Sequence, residues 1–257
     1  MNREDFILTK NILRIFLDKL LVFPLWVKQI IYLRLYQNLT TYLSEDFVEL
    51  KEDAIFHLYI PVLTFLGRTE LSEKKGGYDS NIYNFLSNVA EGLTVLEISM
   101  NNFWTMEEVA KYFILCLEQN YIKTPEVVHI EAMAGFMSGK FRTGEYFKRI
   151  GKIDVDQLEQ VIIKQSEQIK TGNRTKIAEI MISLGFITEK DTSSLLVIKE
   201  ESKKRFILDS GIVPRESAVT PVNQDLVSCQ EQIAKLTEQN NLLKDRLSKI
   251  LAFVKQK

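Results

Sequence analysis

Arg142-Thr-Gly-Glu-Tyr-Phe-Lys-Arg-Ile-Gly-Lys-Ile-Asp-Val-Asp-Gln-Leu158 is followed, at an offset of 34 residues, by Lys176-Ile-Ala-Glu-Ile-Met-Ile-Ser-Leu-Gly-Phe-Ile-Thr-Glu-Lys-Asp-Thr192. The offset aligns Arg142 with Lys176, Gly144 with Ala178, Glu145 with Glu179, Phe147 with Met181, Gly151 with Gly185, Ile153 with Ile187 and Ile162 with Leu196. Two copies are too few for a solenoid but suffice for a duplicated module. In each copy, apolar residues at helical spacing (Tyr146 and Phe147; Ile177, Ile180, Met181 and Leu184) predict a first helix. Gly151 or Gly185 then closes it, glycine being the residue that most readily takes the left-handed cap conformation. Ile153 before Asp154, and Ile187 before Thr188, with Gln157 and Asp191 three residues after the capping residue, predict a capping box at the start of a second helix. In the first copy, Ile153 and Leu158 add a hydrophobic staple.

The pattern Arg-x-Gly-x-x-apolar-x-x-x-Gly-x-Ile-x-x-x-x-Leu-x-x-x-apolar-x-x-Gln, carried by Arg142, Gly144, Phe147, Gly151, Ile153, Leu158, Ile162 and Gln165, resembles the tandem motif of the MshE-type N-terminal module. That module occurs on type II secretion and type IV pilus assembly ATPases and on other bacterial proteins. The resemblance covers roughly a quarter of the chain. It implies a small helical domain able to bind cyclic di-GMP, with Arg142, Gly144, Phe147, Gly151, Gln165, Lys176, Ala178 and Gly185 as the ligand-binding candidates. Thr143 stands where the family usually has Leu. The second copy departs further: Lys176 replaces Arg, Ala178 replaces Gly, Thr192 replaces Leu and Lys199 replaces Gln. Lysine offers a point charge where a guanidinium offers a planar fork, and the methyl group of Ala178 limits how closely a ligand can approach the backbone.

A chain of 257 residues with 46% hydrophobic content can bury a sizeable core, and its length suggests two domains. A net charge of -1 gives no general attraction to nucleic acid or anionic lipid. Two cysteines, Cys116 and Cys229, make no disulfide framework, and the opening Met-Asn-Arg-Glu-Asp does not read as a signal peptide. The expected location is the cytoplasm, without membrane insertion.

Ahead of the repeat, the spacing predicts helices over 5–20 and, after Pro24, over 26–42. Ala54 to Leu66 reads as a buried core segment, too short to span a membrane. Glu70 to Ser80 reads as a polar loop, Asn81 to Ser99 as one helix, and Thr105 with Glu108 as a capping box for a helix reaching Tyr121. An extended stretch, Val127 to Ile130, would complete a winged-helix-like unit. Glu107, Glu108 and Glu118 suit its recognition helix poorly to phosphates, so protein binding or a structural role is expected over nucleic-acid binding.

Ala134 to Lys140 (AGFMSGK) has Walker A spacing as far as its lysine, but Phe141 occupies the position of the magnesium-binding hydroxyl. A glycine-flexed linker is the better account. His57 and His129 lack partners at ligand spacing, so no metal is expected. Cys116 lies on the apolar side of a helix, and no nucleophile, base and orienting residue stand out as a set.

Asp209 to Asp225 reads as a linker. Beyond it, Leu226, Ile233, Asn240, Leu247 and Val254 fall at heptad position a, and Cys229, Leu236, Leu243 and Ile250 at d. That pattern predicts a parallel dimeric coiled coil with Asn240 fixing register, or else an amphipathic helix packing back on the protein.

The expected fold is therefore mainly α. It comprises an N-terminal helical or winged-helix-like domain over 1–133, a duplicated helix-corner-helix module over 134–208, a linker over 209–225 and a coiled coil over 226–257. The expected function is a non-enzymatic adaptor or scaffold without a cofactor, homodimeric and, by the resemblance, attached to a bacterial surface machine (pilus, secretion or flagellar apparatus) or its regulation. Cyclic di-GMP would be its ligand. A ligand-free assembly protein is the main alternative and a transcriptional regulator a minor one.

Overall fold

Twelve α-helices follow one another in a computed structural model that describes residues 1–20, 22–170 and 175–205. The linker over 209–225 and the heptad positions from Leu226 to Val254 lie outside the described residues. The first helix, α1 (Arg3–Lys19), starts where the Asn2 side chain accepts the backbone N–H of Asp5 at 2.8 Å. Pro24 then opens α2 (Leu25–Thr41), its fixed φ being compatible with a helix start. A 3-10 turn, Glu45–Phe47, leads into α3 (Val48–His57). Thr64 caps α4 (Phe65–Glu73), and Asp79 caps α5 (Ser80–Ala90). Capping boxes start both α6 (Val95–Asn102), from Thr94 and Glu97, and α7 (Met106–Glu118), from Thr105 and Glu108. Next come α8 (Val128–Ser138), α9 (Thr143–Arg149), α10 (Val155–Lys170), α11 (Ile177–Ser183) and α12 (Glu189–Ser202).

The core gathers around α3, which packs against α8, α12 and α2. Phe56 meets Phe113 of α7 edge-on, and Tyr32 and Tyr36 of α2 stack on each other; all four are buried. The same helix buries Glu49, Glu52, Asp53 and His57. A buried carboxylate is tolerated only with partners, and each of these has one. Lys152 Nζ lies 2.9 Å from Glu49 Oε1, and the Tyr146 hydroxyl donates to Glu52 Oε2 at 2.7 Å. His129 Nε2 lies 3.1 Å from Glu52 Oε1, and His57 Nδ1 lies 2.8 Å from Asp53 Oδ1. Burial pushes the Glu52 carboxyl above its ordinary range despite these bonds.

All described residues fall within one compact unit. Several local expectations need correction. Asn81 to Ser99 is two helices: Gly92, at φ +76°, ends the first turn of chain after α5, and Thr94 restarts the helix. Ala54 to Leu66 is the end of α3, an extended passage and the start of α4, with Ile60, Val62, Phe65 and Leu66 exposed rather than buried. The polar loop is shorter than expected, because α4 continues to Glu73. Val127 to Ile130 is not an extended wing: α8 begins at Val128. β pairing among the described residues is limited to two isolated bridges, Leu63 with Ile122 and Thr105 with Arg205.

Nor is 134–140 a flexible linker, since α8 runs through the position between 133 and 134 and on to Ser138, with Ala134 and Gly135 buried. Gly135 is small for packing: a Cβ there would sit 2.1 Å from the Phe141 ring.

Candidate functional site

The two repeat segments have the same local build. In each, a seven-residue helix (α9, α11) ends at a glycine in the left-handed region, Gly151 at φ +77° and Gly185 at φ +72°. Each then enters a longer helix through a capping box. Asp154 Oδ1 accepts from Gln157 N–H at 2.7 Å while the Gln157 side chain accepts from Asp154 N–H at 3.0 Å. Thr188 and Asp191 make the same exchange at 3.3 and 2.8 Å. Phe147 and Met181, equivalent in the alignment, are both fully buried.

Between the segments lies a cavity of about 590 Å³. Arg142 and Gly144 at the start of α9, Gln165 from α10, Lys176 and Ala178 at the start of α11, and Thr192 and Lys199 from α12 line it. Phe136, Phe141, Ile177 and Leu195 supply apolar wall. Of the eight candidates named from sequence, five therefore meet at one opening. Phe147 is a core residue, and Gly151 and Gly185 serve as exposed corners outside the cavity lining.

The charge at the opening is positive. Neither Arg142 nor Lys176, both exposed, has a carboxylate within ion-pair distance among the described residues, and Glu179 is the acidic residue in the lining. Lys199 is already engaged. Its Nζ donates to the carbonyls of Phe136 and Met137 at the end of α8 and lies 3.7 Å from Glu107 of α7. A lysine is well placed there, because the last carbonyls of a helix lack intrahelical donors and carry the negative end of its dipole. Burial holds this ammonium below the ordinary lysine range.

Two further candidates have intramolecular tasks. The Gln165 amide donates to the Thr175 carbonyl at 3.2 Å, tying the end of the first segment to the start of the second. A Cβ on residue 144 would lie 2.8 Å from Leu158 Cδ1, so Gly144 makes room for Leu158 as well as opening onto the cavity.

Tyr146, Glu52, His129, Glu49, Lys152 and Asp191 form a second polar cluster, which sequence reasoning missed. Lys152 Nζ bridges Glu49 at 2.9 Å and Asp191 at 2.6 Å. Although burial opposes its ionisation, hydrogen bonds from Lys152 and Thr188 hold Asp191 below the ordinary carboxylate range. This cluster fastens both repeat segments to α3. Cys116 is buried, its thiol pushed up to about 12 by burial, as befits a packing residue.

Among the described residues there is no group of three or more His, Cys, Asp or Glu placed to hold a metal ion, and no helix is long and apolar enough to cross a membrane. The chain matches no protein-family model, no curated protein and no solved structure.

Proposed function

We propose that this chain is a non-enzymatic adaptor, built on a duplicated helix-corner-helix module of the MshE type, that responds to cyclic di-GMP. The supporting observation is the cavity between the two repeat segments, where Arg142 and Lys176 stand without carboxylate partners among the described residues beside an apolar wall. A bis-anionic ligand with two flat bases matches that combination: phosphates pair with the cations, and bases bury against Phe136, Phe141 and Ile177. By the resemblance, the output is assembly or regulation of a bacterial surface machine, with the chain dimerised through residues 226–257.

Isothermal titration of cyclic di-GMP against the full chain tests the ligand, with saturable heat expected for the wild type and none for Arg142→Ala. A second reading, a scaffold whose module only docks partners, has its own support. Gly144, Gln165 and Lys199 each have an intramolecular role that requires no ligand. Absence of heat from the wild type would leave that reading in place.

A further inference from the structure

The hairpin of α1 and α2 is apolar on its outer side as well as its inner one. Phe6 and Leu17 of α1, with Tyr32 and Tyr36 of α2, are buried against the rest of the unit. Yet Ile12, Ile15, Phe16, Trp26 and Ile30 are each more than half exposed, and Val22, in the turn, is 93% exposed. Ile12, Ile15 and Phe16 are spaced at three and four residues, as are Trp26 and Ile30, so each set lies along one side of its helix. Because the chain reverses between Lys19 and Leu25, Phe16, Val22 and Trp26 all fall at the turn end of the hairpin.

Six such side chains expose on the order of 700 Å² together, above the roughly 300–600 Å² of a typical monomer's largest apolar patch and close to the ~800 Å² that each partner buries in a standard interface. The patch is sized for a second folded copy. Charge argues in the same direction: with Lys10 and Lys28 buried, Arg3, Arg14, Lys19 and Arg34 stand against Glu4, Asp5 and Asp18, an excess of one that draws the hairpin only weakly to an anionic lipid surface. We propose that the outer face of the α1–α2 hairpin is a self-association surface, on which the hairpins of two copies pack as an intermolecular helical bundle. This rests in part on the dimer under Proposed function, because pairing through 226–257 would hold two hairpins at high effective concentration.

Trp26 is one of two tryptophans, so the full chain carrying Trp104→Phe reports on this face alone. Its emission and acrylamide quenching are followed on dilution, with mass from light scattering, in that background and with Leu236→Asp and Leu243→Asp added to disable the heptads. The expected result is that Trp26 is shielded in the dimer and becomes exposed as the mass halves, also in the heptad variant at higher concentration. Ile12→Asp with Phe16→Asp should weaken self-association at least tenfold while leaving the circular dichroism melt in place. Three outcomes would overturn the proposal: a dimer in which Trp26 stays as quenchable as in the monomer; a monomer in which Trp26 is shielded until residues 226–257 are deleted; or shielding that appears only with phosphatidylglycerol vesicles. The first outcome leaves the coiled coil intact, and disruption of the dimer by the heptad variant alone supports the coiled coil independently of this face.

Discussion

Gly144 and Leu158 are matched in size: a methyl group on residue 144 would stand 2.8 Å from Leu158 Cδ1. The second repeat segment carries both changes at once, Ala178 at the glycine position and Thr192 at the leucine position. Threonine has no δ carbon, so the second copy carries a larger residue at the glycine position together with a shorter one at the leucine position.

The pairing predicts a change of sign. Gly144→Ala should destabilise the wild type by about 1 kcal/mol, because overpacking costs roughly 1–3 kcal/mol while alanine in a helix recovers up to ~1. With Leu158→Thr in place, Gly144→Ala should instead be neutral or stabilising. Urea unfolding of the four proteins in the cycle measures this; equal effects in both backgrounds would mean that the two sites are independent.

Gly151 and Gly185 make a cleaner comparison. Both have left-handed backbones, and nothing lies within 4 Å of a Cβ built at either. A substitution there meets backbone strain and no steric clash, so Gly151→Val and Gly185→Val should each cost about 1–2 kcal/mol and by similar amounts. Asparagine, which tolerates this conformation, should cost less at both positions. Thermal melts of the four variants test the expectation.

Lys152 joins Glu49 of the N-terminal region to Asp191 of the second repeat segment. Lys152→Met strands Glu49 and leaves Asp191 with its Thr188 bond alone, and should destabilise by ~1–3 kcal/mol at neutral pH. The sign of the pH dependence follows from Asp191, whose folded pKa is lowered from 3.8. Its contribution is complete above that unfolded value and is lost as pH falls through the lower folded one. The gap between wild type and variant should therefore narrow below about pH 4. Urea midpoints at pH 7 and pH 3.5 test it; a gap of constant size would assign the loss to packing of the lysine stem.

Sequence was informative where structure is local. The caps at Thr105, Asp154 and Thr188 and the corners at Gly151 and Gly185 depend on residues within a few positions of one another. Gly92 followed by Thr94 and Glu97 carried the same kind of signal for the break between α5 and α6, and the apolar run across it hid that signal. Val127 to Ile130 looked extended because β-branched residues favour strands, but burial of Ile130 and the residues after it favours α8. The α3 cluster was illegible for another reason: Tyr146 lies 94 residues from Glu52, and Lys152 lies 103 from Glu49. Of the candidate ligand residues, repeat alignment could place Arg142 opposite Lys176, whereas the engagement of Lys199 by α8 depends on tertiary packing.

If cyclic di-GMP occupies the cavity, its two halves should contribute unequally. Arg142 can make a bidentate, charge-assisted contact that Lys176 cannot, and such a contact is worth about 1.5–3 kcal/mol, or roughly ten- to 150-fold in affinity. Arg142→Ala should therefore remove detectable binding, whereas Lys176→Arg should strengthen it. Ala178→Gly should add to that gain, because Thr192 leaves the opened space unfilled by a longer side chain. Titration of cyclic di-GMP against the wild type, Arg142→Ala and the Lys176→Arg/Ala178→Gly variant distinguishes the readings. Heat that is unchanged across all three would place the ligand outside this cavity, and no heat from any of them would favour the docking scaffold.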